Sequence, residues 1–132
     1  MESKSSFNYH KVLDSDFESV VENVKSLLAE EKFGIVTETN VQEKIKAKTG
    51  KEINKYLILG ACNPGLAYEA IQIESRIGVM LPCNVLIRET DDHKIEVAAI
   101  NPMKTIMNIG KPEMEPLAIK AEKSLRKMID SL

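Results

Sequence analysis

Residues 84–100 constrain the fold more than any other stretch of this chain. Asn84 to Thr90 and Lys94 to Ile100 each have strand length, and Ile95, Val97 and Ala99 alternate with Glu96 and Ala98. Asp91-Asp92 separates the two segments. Strands joined by so short a turn pair antiparallel, because a parallel pair needs a crossover of a dozen or more residues, usually a helix. A doubly wound parallel sheet would require a helix after nearly every strand, and this hairpin removes one. The expected class is therefore α+β, with a mainly antiparallel sheet.

The remaining segments extend that reading. Phe7, Tyr9 and Leu13 fall on one side of an extended segment, the period of a half-buried strand. Asp14-Ser15-Asp16 offers helix N-caps, with Ser15 and Glu18 at capping-box spacing. Phe17, Val20, Val21, Val24, Leu27 and Leu28 then share one helical face, leaving Glu18, Glu22, Lys25 and Glu30 for water. Phe33 to Glu38 reads as a second strand. Asn40, Glu43 and Gly50 mark the start, first turn and stop of a short helix. Lys55 to Cys62 is an apolar run of strand length, expected in the sheet interior, and Asn63-Pro64 starts another helix. Val79 to Leu81 reads as a further short strand. Asn101-Pro102 repeats the cap-then-proline start, and a second long amphipathic helix runs from near Pro116 through Leu117, Ala121, Leu125, Met128 and Leu132.

Length and charge bound the function classes. The chain has 132 residues, 18 basic and 20 acidic side chains and a formal charge of -2, as expected of one domain over residues 1–132, with a polar start at 1–6. No basic block supplies the counterion-releasing surface that nucleic-acid binders use, and six Phe and Tyr with no Trp offer few stacking platforms. Nucleic acid is not expected as a partner. No apolar run reaches the roughly 18 to 20 residues that span a bilayer, and Met1 to Ser6 lacks the apolar stretch of a secretory signal. The expected setting is the cytoplasm, away from membranes, where two cysteines are thiols rather than a staple.

Candidate chemistry concentrates in two words, Gly60-Ala61-Cys62-Asn63-Pro64 and Leu81-Pro82-Cys83-Asn84-Val85. Cys62 at a strand end beside a helix N-terminus is placed to favour a thiolate, and Cys83 can approach it at one end of the sheet. Two thiolates with a nearby thioether, Met103, suit a soft monovalent ion such as copper. Asn63, Asn84 and Asn101 can present amides to a small ligand or serve as caps and turn residues. Free cysteines are also among the most buried residue types, so both can instead be core. His10 and His93 are the only histidines, and neither is spaced as a catalytic partner. No nucleophile elbow, phosphate-binding loop, dinucleotide fingerprint or zinc-protease helix is present.

These words, with Gly34-Ile35-Val36-Thr37-Glu38, Tyr56-Leu57-Ile58-Leu59 and Asn101-Pro102-Met103, resemble a bacterial and archaeal family, the domains of unknown function numbered 302. The resemblance covers about residues 7–131. It implies a curved, mainly antiparallel sheet with two long helices and short helical insertions, similar to the TATA-binding-protein-like class. It implies no DNA binding and no established reaction, since fold likeness does not carry function. Its motif marks Cys62, Asn63, Pro64, Leu81, Pro82, Cys83, Asn84, Pro102 and Met103 without assigning roles. The family commonly carries aspartate where this chain has Asn101, which counts against any role needing a carboxylate there.

The sequence thus favours a nonenzymatic binding module, expected as a homodimer. Its ligand, a small molecule or a soft metal ion, would meet Cys62, Asn63, Pro64, Cys83, Asn84 and Asn101, with Cys62, Cys83 and Met103 as metal ligands. No particular cofactor is implied. Two alternatives stand beside it: a thiol-dependent redox enzyme with Cys62 as nucleophile and Cys83 resolving, and a protein-interaction domain whose cysteines are structural.

Overall fold

A computed structural model describes residues 6–132. Residues 1–5 of the polar start lie outside the described residues. Five strands form one curved antiparallel sheet: β1 (Asn8–Leu13), β2 (Gly34–Asn40), β3 (Tyr56–Cys62), β4 (Cys83–Glu89) and β5 (Ile95–Ile100), in the order β1-β5-β4-β3-β2. The β4–β5 hairpin sits at its centre, with Val85 opposite Ala99 and Glu89 opposite Ile95. His93 turns the chain with a φ of 63°, a left-handed conformation disfavoured for a residue with a Cβ.

Two long helices cover one face. These are α1 (Phe17–Glu30) and the C-terminal helix, α5 (Glu115–Asp130), joined in the chain by α2 (Val41–Thr49), α3 (Pro64–Ile73) and the single-turn α4 (Pro102–Thr105). Val20, Val21, Val24 and Leu28 of α1, with Ala121, Leu125, Met128 and Ile129 of α5, bury against alternate strand residues such as Tyr9, Leu59, Val85 and Val97. That period-2 set against a 3.6-residue stripe is what makes this side the core. Tyr9 reaches α5 from beneath, its hydroxyl donating to Glu122 Oε2 at 2.6 Å, while Arg126 lies over its ring.

Local chemistry explains most boundaries. Asn40 accepts from the Glu43 N–H to start α2, and Gly50, at φ 74°, ends it in the left-handed conformation that glycine adopts without cost. Helix α1 is capped one residue later than the Ser15–Glu18 spacing suggests: Asp16 accepts from Ser19, and this bond holds the Asp16 carboxyl below its usual range. Residues Val79 to Leu81 do not form a strand. Ile77–Met80 is a 3-10 turn, closed by Val79 N–H to Arg76 and Leu81 N–H to Gly78. Three apolar residues cannot distinguish strand from turn by periodicity, and β3 and β4 already have their neighbours.

A second apolar cluster lies beyond the end of the sheet, where Ala70, Ile77, Ile106, Met114, Leu117 and Ala118 are buried together. The two clusters meet around α3 and the start of α5. Cys62, Asn63, Leu81 and Cys83 sit at that junction.

Candidate functional site

Adjacent antiparallel strands bring the cysteines together. Ala61 lies opposite Cys83, and Cys62 is the next residue on β3. Both are free thiols, Cys83 buried and Cys62 half-buried. They line a cavity of about 30 Å³ with Phe33, Leu66, Leu81 and Leu117. A cavity must offer roughly 10–15 Å³ to hold a single water, so this one has room for two or three water-sized occupants and falls far below the roughly 300–1,000 Å³ of small-molecule sites.

Burial pushes the Cys83 thiol up to about 11 from 9.0, and the nearby Cys62 charge pushes in the same direction. A thiol whose pKa is raised on folding is stabilised as the protonated form. Its contribution is complete below the unfolded pKa near 9.0 and is lost as pH rises through about 11. Thiolate, not thiol, is the reacting species, so native Cys83 is expected to label slowly at pH 7. Its rate should rise about tenfold per pH unit to about pH 10 without a plateau, since the thiolate fraction grows that way below a pKa of about 11. Mass-spectrometric alkylation kinetics read this directly. Levelling off from about pH 9 would show an ordinary, accessible thiol.

The asparagines divide among three environments. Asn63 caps α3, accepting from the Leu66 N–H at 3.1 Å, with Pro64 at the first helical position, and it also lines the cavity. Asn84 follows Cys83 on β4, so strand alternation turns it to the opposite, helix-free face of the sheet. Asn101 is fully buried. Its Oδ1 accepts from Met103 N–H and its Nδ2 donates to the Ser6 carbonyl, both at 3.0 Å, which commits both ends of the amide to the fold.

Met103 packs against the second apolar cluster and does not line the cysteine cavity. Among the described residues, no group of three or more His, Cys, Asp or Glu side chains is placed to hold a metal ion. An ion at this place would have two sulfur ligands. That is fewer than the four protein ligands of a structural zinc site. No histidine or carboxylate lines the cavity, and His10 stands on the helix-free face, its Nδ1 3.0 Å from Asn8 Oδ1. Neither thiol therefore has a general base beside it.

Sequence reasoning missed one residue that shapes the site. A Cβ on Gly60 would lie 2.7 Å from Pro82 Cγ and closer still to Thr37 Oγ1, so only glycine lets the Pro82–Cys83 segment pack onto β3. A glycine inside a strand is the signal for such a close approach.

The described residues thus define an α+β protein whose curved antiparallel sheet carries two long helices on one face and two free cysteines, one buried and one half-buried, at one end. No helix of the described residues is long and apolar enough to cross a membrane. The sequence matches the family described as domain of unknown function DUF302 over residues 9–132, and the chain belongs to that family. A search of the curated proteins finds no match. Among solved structures, the fold is similar to the crystal structure of an uncharacterized conserved DUF302 protein from Bacillus stearothermophilus. The TM-score is 0.88 at 22% identity, covering 96% of this chain and 98% of that one.

Proposed function

We propose that this protein is a binding module for a soft monovalent metal ion, held between Cys62 and Cys83. The observation that carries this reading is that both cysteines line one apolar cavity of about 30 Å³, a volume suited to an ion and far below that of small-molecule sites. Sulfur ligands select monovalent copper over harder cations, and two of them suffice for it. On binding, each thiol releases its proton to solvent and two sulfur–metal bonds replace two S–H bonds. The ion is neither oxidised nor reduced.

The energetic obstacle is the Cys83 proton, which burial holds tightly. A metal overcomes this because a coordinated thiol is deprotonated outright. The site then carries one net negative charge, and α3 begins beside it with the favourable end of its dipole. Dipole stabilisation at a partly buried helix end reaches about 2 kcal/mol, which offsets part of the cost of burying that charge.

Native mass spectrometry of reduced protein titrated with monovalent copper, and separately with zinc, tests the reading. One copper per chain is expected in the unaltered protein, none in Cys62→Ser or Cys83→Ser, and no stoichiometric zinc. Copper should also suppress alkylation of both thiols in the unaltered chain, a readout independent of whether the variants fold. Absence of a copper adduct, or its retention in both variants, would overturn the proposal.

A further inference from the structure

The helix-free face of the sheet is laid out in rows by the strand register. Its middle row runs His10, Ala98, Leu86, Ile58 and Thr39 from one edge to the other. Beside it run Val12, Glu96, Arg88 and Tyr56 on one side, and Asn84 and Ile100 on the other. The centre is thus apolar, with the small Ala98 making a depression, and the margins are polar. Of these, His10, Ala98, Leu86 and Ile58, with Glu96, Tyr56, Asn84 and Ile100, line a trough of about 410 Å³, within the range of roughly 300–1,000 Å³ of small-molecule sites.

The charge pattern narrows the occupant. Glu96 is the carboxylate lining the trough, and it accepts from Arg88 Nε at 2.7 Å, so its charge is neutralised from beside the trough. His10 Nδ1 faces the side-chain Oδ1 of Asn8, a pairing that in the neutral ring calls for the proton on Nδ1 and leaves Nε2 as an acceptor. Among the described residues, neither the Asn84 amide nor the Tyr56 hydroxyl has a hydrogen-bond partner. Uncharged donors and acceptors around an apolar floor fit a neutral organic molecule with a hydrogen-bonding group.

Shape argues against a second copy as the occupant: a two-fold axis through this trough would set one hollow against another instead of interlocking them. We infer that the helix-free sheet face is a binding site for an uncharged, mainly apolar small molecule, separate from the thiol cavity and on the opposite side of the sheet.

Two dyes that share a scaffold test this. N-phenyl-1-naphthylamine is neutral and carries one N–H donor, and 8-anilinonaphthalene-1-sulfonate adds an anion. The neutral dye is expected to bind saturably at one site, at least about tenfold more tightly than the anionic one, a difference of about 1.4 kcal/mol. Ala98→Phe, which fills the depression, should weaken it by at least about tenfold. Val79→Ser, on the exposed apolar patch after α3, should leave it unchanged. In the unaltered protein, the dye should shift the NMR signals of the Ala98 and Ile58 methyls and the Asn84 amide. No saturable binding, or shifts confined to other residues, would overturn the site. So would a dimer in sedimentation that Ala98→Phe dissociates, since the second copy would then be the occupant.

Discussion

Gly60→Val is expected to destabilise the fold by about 3 kcal/mol, although β-propensity favours valine over glycine in a strand by up to about 1 kcal/mol. The two effects oppose each other, and magnitude decides. A Cβ at Gly60 would stand 2.7 Å from Pro82 Cγ, well inside van der Waals contact, and closer to the Thr37 hydroxyl. Thr37 can turn aside, but the proline ring has no rotamer to give and its neighbour Cys83 is pinned in β4. Overpacking of this kind costs about 1–3 kcal/mol, occasionally more, and valine adds two further carbons to the clash. Gly78→Ala is the matched control, since a Cβ there meets nothing within 4 Å. Denaturant unfolding should show a lower midpoint for Gly60→Val at unchanged slope, and a near-native midpoint for Gly78→Ala. Equal stability of the two would mean that Pro82 does not rest on β3. The same shift displaces Cys83, so Gly60→Ala, if it folds, should also weaken the copper adduct.

Gly60 marks where the sequence stops being legible. The α+β class, the central hairpin and both long helices follow from periodicity and caps, because those signals act between residues a few positions apart. The caps at Asn40, Asn63 and Asn101 are local for the same reason. What the sequence does not carry is the third dimension of the sheet. The closeness of Cys62 and Cys83 depends on the β3–β4 register, which places Ala61 opposite Cys83, and no spacing in the chain encodes it. Met103 shows the converse: it lies near the cysteine words in the motif pattern, yet α4 turns it into the second cluster. Asn84 likewise looked like a partner of Cys83, and strand alternation sends the two to opposite faces. The trough was invisible because its floor is drawn from four different strands, each contributing alternate residues.

Asn101→Ala is expected to lower stability by about 2–4 kcal/mol, and comparison with Asn63→Ala shows why. Both asparagines precede a proline at the first position of a helix, and both accept a hydrogen bond from a first-turn N–H. Loss of such a cap costs about 1 kcal/mol, and at half-buried Asn63 that is the whole expected effect, because water can reach the freed Leu66 N–H. Asn101 is fully buried and does more: its Nδ2 donates to the Ser6 carbonyl, tying the segment before β1 to the end of β5 across 95 positions of chain. Truncation leaves the Met103 N–H and the Ser6 oxygen without the partner that replaced water, and each unsatisfied buried group costs about 1–3 kcal/mol. It also leaves a void where the amide stood. Ser6 lies near the surface, so water recovers part of its share, which sets the upper bound below the full sum. Thermal or denaturant unfolding of the two variants side by side should therefore separate them by about 1–3 kcal/mol, and hydrogen exchange should show the Asn8 and Asn101 amides opening earlier only in Asn101→Ala. If the two variants lose equal stability, the Nδ2 bond to Ser6 contributes nothing. Asn101 would then be free to serve a ligand in place of the fold.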